Sequence, residues 1–563
     1  MRLSGDSGGQ ISATPDSAEP LELPARRGFS ISYRGKTLLS RIDPVAQGER
    51  LTAEIPVNEE TLYFCPSPLY GYGLAAFLRR LPGSSAVLCV EADEKLFEIS
   101  QKAFGQQLFN ESPNLASLRP LALVQASQPE KLCDFVRKTW GERRFRQVEE
   151  LRLGGGWQVF PQLYGDFVHT LRQEMAVEWG NAMTLIHLGR LYARNLIRNL
   201  AVLPEGENIT ALDFGHSPVL VLGAGPSLDS ILDGLPAAGQ RRFKIICVDT
   251  CLPALHERSI QPDLVVILES QHWNLRDFSG ARGQKIDAAI DLSALPASAR
   301  VLGGKRFFFA TPWTELALFR RLGEAGLLPE IFIPLGSVGL NAVALALRIS
   351  SGPVLTAGID FSCTLDSYHA RSTPGYLALE RTQCRTKSLI NAAAAFREGT
   401  FTALSKTGQT VRSDPAMRKY RDLFEREFGG KARLLDIAGS GLPLGVKTVS
   451  LAEAFAILNK SGDGGARSVS PHNSADKREK IAAFACREKE ILNALKKTLS
   501  GESPPDPARL EGLLDTADYL WAHFPECAGT GGRRPTAMNV GFLKRVRTEI
   551  EPFLKCWETV HTG

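Results

Sequence analysis

The ten cysteines include no Cys-x-x-Cys pair and no Cys/His cluster at zinc-ligand spacing, which excludes the common structural zinc modules. They are scattered through a chain of 563 residues. That pattern fits reduced thiols in a cytoplasmic protein better than a secreted disulfide scaffold. Cys247 and Cys251, on either side of Val248-Asp249-Thr250, read as buried thiols packing as small hydrophobes. No apolar run approaches the roughly 20 residues needed to cross a bilayer, so no membrane span is expected. Residues 1–27 are rich in Ser, Gly, Pro and acidic side chains and lack an apolar core region, which argues against a signal peptide. Charge of one sign is also scarce: 66 Lys and Arg face 61 Asp and Glu, a formal net charge of +5. A nucleic-acid platform would need a strongly basic face, and none is indicated.

What is present is ordinary globular material, 44% hydrophobic and 23% charged, enough for three or four domains at roughly 100–200 residues each. After a tail to residue 27, residues 28–165 open with alternating strand patterns around Phe29, Ile31 and Tyr33. The run Thr61–Cys65, the turn Pro66–Gly73, a helical stretch Leu74–Arg80 and the run Ala86–Val90 ending in Glu91-Ala92-Asp93 form a βαβ unit like the start of a nucleotide-binding domain. The turn carries two prolines and lacks a full Gly-x-Gly-x-x-Gly, so a degenerate scaffold domain is expected. Residues 166–204 read as connecting helix, with apolar positions at Val168, Leu171, Met175, Leu185, Leu188, Leu191 and Leu196. Residues 205–458 alternate helical patterns with the apolar runs 218–222, 243–248, 264–268, 306–310, 331–333 and 354–357, which implies an α/β domain with a mostly parallel sheet. A polar linker, 459–477, and a small helical domain, 478–563, complete the chain.

The sharpest local signal is the apolar strand Val219–Leu222 running into Gly223-Ala224-Gly225-Pro226-Ser227-Leu228. Glycines there either let a ligand approach the backbone closely or serve turn geometry alone. Pro226 fits the first turn of a helix, Ser227 offers a hydroxyl, and exposed N–H groups at such a turn can receive a phosphate. The next strand ends in Asp249-Thr250 and the third in Glu269-Ser270, so polar groups gather where open α/β sheets bind ligands. Asp249 suits a ribose or base contact equally well as a helix N-cap; Asp263, before its strand, lies at the opposite edge and reads as structural. Ser337, in Gly336-Ser337-Val338-Gly339, either caps the following helix or faces a ligand. Beyond the strand Pro353–Ala357 come Gly358-Ile359-Asp360-Phe361 and a polar loop with Asp366, Tyr368, His369 and Arg371. Of nine histidines, only His272 and His369 sit shortly beyond a central strand. His369 has the denser polar surroundings and is the candidate general base.

These residues, in this order and spacing, together with Ile260-Gln261-Pro262-Asp263, Thr410-Val411-Arg412-Ser413, Tyr420-Arg421 and Phe424-Glu425, resemble the motility-associated factor (Maf) flagellin glycosyltransferases. The resemblance covers roughly residues 28–455 and includes Arg194-Asn195 and Asn199-Leu200 in the connecting helix. It implies a Rossmann-like central domain of GT-A type, similar to bacterial CMP-sialic acid sialyltransferases, between a degenerate Rossmann-like domain and a helical one. It further implies transfer of a nonulosonic acid of pseudaminic or legionaminic type from its CMP-activated form to Ser or Thr of flagellin. On that likeness Gly223, Gly225, Pro226 and Ser227 approach the CMP, with Asp249 and Thr250 nearby, and Ser337 and Gly358 line the cytidine pocket. Tyr368 bonds the leaving phosphate, His369 takes the acceptor proton in an inverting reaction, and Asp360 completes the catalytic group. The sialyltransferases carry Asn where Asp249 stands, and their histidine lies farther from the Gly-Ile-Asp motif than His369 does.

No Asp-x-Asp occurs in the central block, the pattern with which many sugar transferases hold a metal on a nucleoside diphosphate. Mg²⁺ is compatible with the site, but no motif requires it and no resident cofactor is implied. The Gly-x-Gly-Pro-Ser-Leu and Pro-Asp signature also resembles archaeal hydroxymethylpterin diphosphokinases, which use ATP and Mg²⁺ in much shorter chains. A third reading is a non-catalytic flagellin-binding assembly factor with a decayed site.

Overall fold

The computed structural model describes residues 19–111, 120–141, 144–235, 242–387, 392–460, 474–501, 506–529, 535 and 539–560. The chain divides into two compact units, Met1–His187 with Ala522–Pro535, and Leu188–Trp521 with Thr536–Gly563. Most of the proposed linker, 459–477, lies outside the described residues. No described helix is long and apolar enough to cross a membrane.

The first unit begins with an antiparallel ribbon of β1 (Leu21–Pro24), β2 (Phe29–Tyr33) and β3 (Lys36–Thr37). Its main sheet holds β4 (Thr61–Pro66), β5 (Ala86–Glu91), β6 (Leu121–Gln125) and β7 (Gln147–Glu150) in the order β6-β5-β4-β7, all parallel. Strands covered on both faces read as unbroken apolar runs. Here Leu62, Phe64, Leu88 and Val90 enter one core while Tyr63, Cys65, Val87 and Cys89 enter the other. The acids at the end of β5 are engaged by the unit itself. Glu91 accepts from the Ser67 and Ser100 hydroxyls at 3.1 and 2.8 Å and from Leu69 N at 3.3 Å. Burial pushes its carboxyl up to about 7. Asp93 accepts from the Tyr33 hydroxyl at 2.9 Å and from Lys95 N and Leu96 N.

A single helix, Pro161–Leu200, runs through the boundary at residues 187 and 188. The second unit carries a nine-stranded sheet of β8 (Glu207–Asn208), β9 (Val219–Leu222), β10 (Lys244–Val248), β11 (Leu264–Ile267), β12 (Asp287–Asp291), β13 (Arg306–Phe309), β14 (Val354–Ala357), β17 (Leu434–Ile437) and β18 (Lys447–Val449). A hairpin of β15 (Phe401–Leu404) and β16 (Thr410–Ser413) stands apart from it. The sheet order is β18-β17-β14-β9-β10-β11-β12-β13-β8, every pair parallel. From β9 the chain winds outward through β13, then returns to lay β14 on the other side of β9. The carboxyl ends of β9 and β14 are therefore a topological switch point, where open α/β sheets bind ligands. The α/β class with parallel sheets is the one expected.

One expected strand is not formed. Residues 331–333 contribute only a bridge from Ile331 to Ala310, and Ile331 and Ile333 are exposed, because the free edge of β13 is taken by β8. Conversely, β12 was hidden by its flanking aspartates and its alanines, residues of low strand preference. The polar side chains of the long helix tie the sheet's carboxyl end together: Asn195 donates to Ser270 O and Ser293 O at 3.0 and 3.1 Å, and Asn199 to Leu292 O and Ala294 O at 2.9 and 2.8 Å.

The last helices, Ser474–Ser500, Pro507–Thr516 and Val540–Glu558, pack in the second unit around a buried ion pair. Arg321, on the helix Ala317–Glu324, makes a two-pronged bond to Glu488 at 2.7 and 2.9 Å and donates to Thr516 O at 2.8 Å. Tyr519 donates to the same carboxylate at 3.2 Å. Removing one partner of a buried pair leaves an uncompensated charge and costs about 3–5 kcal/mol. Glu488→Ala is therefore expected to destabilise this unit by that amount in chemical denaturation. A change under about 1 kcal/mol would show that the pair behaves as a solvated surface contact.

Candidate functional site

Two turns meet at the switch point. Because β9 and β14 lie side by side, the turns that leave them hydrogen-bond each other: Gly223 N donates to Ala357 O and Gly225 N to Gly358 O, both at 2.8 Å. A Cβ on Gly223 would stand 2.4 Å from Gly358 O, and one on Gly225 would stand 2.5 Å from an Asp360 carboxylate oxygen. Gly358 has φ +68° and faces Gly223 O in turn. These glycines thus make room for the neighbouring turn. The expectation of exposed N–H groups is corrected accordingly, since Gly223, Gly225, Ser227 and Leu228 all donate within the protein. The helix also starts two residues later than Pro226 suggested, at Leu228, with Ser227 as its N-cap residue, and ends at Leu232. One and a half turns add little dipole.

Asp360 is buried, and its two oxygens accept from Ser227 N at 2.8 Å and the Ser227 hydroxyl at 2.6 Å. Burial pushes its carboxyl up, opposed by the charge of Lys406 and by the Ser227 bonds. The Lys406 ammonium, itself buried, pairs with Asp436 at 2.5 Å and donates to Ile437 O, while Thr356 donates to Asp436 at 2.9 Å. Asp436 sits at about 6, raised by burial against that pairing.

The acceptor side of the glycine turn holds the imidazole. His369 Nδ1 lies 3.2 Å from Ala224 O. A carbonyl only accepts, so the proton is on Nδ1 and Nε2 keeps a lone pair. Burial pushes the imidazole below its ordinary value, partly offset by that bond and reinforced by the charge of Arg276. It is therefore neutral at pH 7. Ala370 N also donates to Ala224 O at 2.9 Å, anchoring the loop. The Tyr368 ring stands edge-on to His369 with centroids 4.7 Å apart, and burial raises its phenol, so it stays a proton donor.

Asp249 and Thr250 belong to a second group at the end of β10. They lie in a 3-10 turn with Cys251, and Asp249 is buried. It accepts from Thr250 N at 2.9 Å and from Asn274 Nδ2 at 2.8 Å, so it neither caps a long helix nor stands open. Asp277 shares the group. Asn274 and Asp277 come from a 3-10 helix, His272–Phe278, that has no strong sequence signal, and both were missed. Lys406, between β15 and β16, and Asp436, within β17, belong to no motif and were missed as well. Ser337 occupies the N-cap position of the helix Val338–Ile349 without a side-chain cap bond; Gly336, beside it, faces the Tyr420 ring. Asp263 accepts from Ile245 N at 2.8 Å and pairs with Lys244 at the far end of β10. Among the described residues no group of three or more His, Cys, Asp or Glu is arranged to hold a metal ion.

The fold, with its two parallel-sheet units, is similar to that of a solved structure. It matches a MAf glycosyltransferase from Magnetospirillum magneticum AMB-1 with TM-score 0.57 at 13% identity, over 97% of this chain and 90% of that one. The α/β class with Rossmann-like parallel sheets expected from the Maf resemblance is the class found. The family described as "MptE-like: 6-hydroxymethylpterin diphosphokinase MptE-like" matches residues 194–366, the segment from the long helix to the loop before Tyr368. An uncharacterized protein of Treponema pallidum (strain Nichols) is 31% identical over 561 residues, covering 96% of this chain and 95% of its own. The chain belongs to one family with that protein.

The buried acids set a pH dependence. Asp249 is pushed up to about 7, by burial first and then by the charge of Asp277, against roughly 3.9 in an unfolded chain. Between pH about 4 and about 7 the folded state holds the extra proton, so stability falls as pH rises through that window. Asp249→Asn is expected to flatten this slope in melting temperatures taken at pH 5 and 7.5. An unchanged slope would assign the proton elsewhere.

Proposed function

We propose that this protein is an O-glycosyltransferase that moves a nonulosonic acid of pseudaminic or legionaminic type from its CMP-activated form to Ser or Thr of flagellin. The observation that carries the reading is the His369 imidazole, fixed by Ala224 O inside the glycine turn with Nε2 unprotonated. The MAf glycosyltransferase fold supports it.

In this reading Nε2 takes the acceptor hydroxyl proton as that oxygen attacks the anomeric carbon from the face opposite the nucleotide. The bond from that carbon to the CMP oxygen breaks, and its electron pair leaves on the phosphate. Tyr368, protonated, donates a hydrogen bond to the leaving group. Asp360 acts through Ser227 as a positioning group that keeps the glycine turn, and hence Ala224 O, in place. Configuration at the anomeric carbon is inverted. The competing pterin diphosphokinase reading is favoured by one finding, the match over residues 194–366.

Calorimetric titration separates the two. CMP is expected to bind without added metal; binding of ATP with Mg²⁺ and not of CMP would favour the kinase. His369→Ala is expected to lower the transfer rate by about 10²–10⁴ while CMP affinity stays within about threefold. Because the imidazole lies below its ordinary value, the acid limb of the wild-type rate profile is expected below pH about 6.5. Wild-type rates in the variant would remove His369 from the mechanism.

A further inference from the structure

The group at the end of β10 contains one buried acceptor that receives no hydrogen bond among the described residues. Asp277 is 7% exposed. Its Oδ2 accepts from the Thr250 hydroxyl and from Asn274 Nδ2, both at 3.2 Å. Its Oδ1 is buried without a hydrogen-bond partner, and the nearest cation, Arg276 Nε, stands 3.7 Å away, beyond hydrogen-bond reach. The orientation of the amide between the acids is fixed, since Asn274 Oδ1 accepts from the Ser298 hydroxyl at 3.1 Å. Asp249 is already satisfied by Thr250 N and Asn274. What the group offers a ligand is therefore a carboxylate oxygen beside the hydroxyl oxygen of Thr250, a residue that is only partly buried.

A buried acceptor left empty costs about 1–3 kcal/mol, which a ligand donor would recover. A phosphate oxygen cannot supply that donor, and two neighbouring carboxyls would repel it. A neutral sugar hydroxyl can. The position agrees: β10 adjoins β9, whose carboxyl end carries the glycine turn. Asp277, from the 3-10 helix that follows β11, reaches the end of β10 through its bond to Thr250, in the region where parallel sheets of this kind hold a ribose.

We infer that Asp277, together with the Thr250 hydroxyl, accepts a ribose hydroxyl of the nucleotide donor and makes this site selective for ribonucleotides. The inference rests on the nucleotide-donor reading above, and the test keeps the two apart.

The experiment is calorimetric titration of the full chain with CMP, 2′-deoxy-CMP and 3′-deoxy-CMP. Wild type is expected to bind CMP at least about tenfold more tightly than one of the deoxy analogues, the discrimination a site gains when the missing hydroxyl leaves its buried group unpaired. Asp277→Ala is expected to weaken CMP about tenfold and to leave that analogue within about twofold, so the preference collapses. Thr250→Val, which keeps the side chain's shape, is expected to reduce it in part and decides the matter if Asp277→Ala melts below the assay temperature. Equal wild-type affinity for all three nucleotides overturns the inference and leaves the nucleotide reading intact. So does an undiminished preference in either folded variant. Failure of the wild type to bind any of them overturns both.

Discussion

The carboxylate of Asp360 joins two turns that the chain separates by 133 positions, accepting from both the backbone and the side chain of Ser227. Much of the switch point depends on that pair of bonds. β9 and β14 would lie side by side without it, because their apolar faces and ladder hydrogen bonds suffice. Their turns, however, would have no reason to adopt one arrangement. With Ser227 held, Gly225 N reaches Gly358 O, Ala224 O is turned toward the loop beyond β14, and His369 and Ala370 both anchor there. Replacing the carboxylate would leave the Ser227 hydroxyl and N–H buried together, an outcome more costly than never having had the pair.

That arrangement places unusual amounts of charge below the surface. Asp360, Asp436 and Lys406 form a buried group with two acids and one base, and Asp249 with Asp277 forms another with no base as close. Desolvation disfavours every carboxylate among them, so the fold tolerates them by supplying hydroxyl, amide and backbone donors. Such groups are poor sources of stability, because an apolar replacement of similar shape is often as stable. Their presence at the carboxyl edge of the sheet, and not through its middle, fits a site that sacrifices stability to hold polar groups in fixed directions.

The parts of the fold visible in the sequence were those with one dominant physical cause. Val219–Leu222 and Leu264–Ile267 are buried on both faces of a parallel sheet and read as wholly apolar, and Val354–Ala357 departs from this only at Thr356, whose hydroxyl is taken by Asp436. The strand Asp287–Asp291 is equally buried but narrow, built from alanines between aspartates whose carboxylates bond backbone at each end, and local preference points away from it. Residues 331–333 show the reverse: three residues of strand character with no free edge to join. The glycine turn and the Gly-Ile-Asp turn were legible as strand ends. That they close on each other was not, since the glycines look the same whether they face a ligand or another backbone, and only the sheet order decides.

The same limit explains why His369 could be picked out while its state could not. A histidine in a polar loop after a strand is a common sight, and its chemistry depends on what its Nδ1 meets. Here it meets a carbonyl contributed from 145 residues earlier, which fixes one tautomer and, with burial, keeps the ring neutral. Had Nδ1 met a carboxylate such as Asp229, which instead receives Arg258 and Arg371, the imidazolium would have been favoured and the ring would serve as an acid or an anion clamp. The choice between base and acid is thus made by the glycine turn. The turn in turn is held by Asp360, so a residue that makes no bond to the imidazole helps determine which of its nitrogens carries the proton.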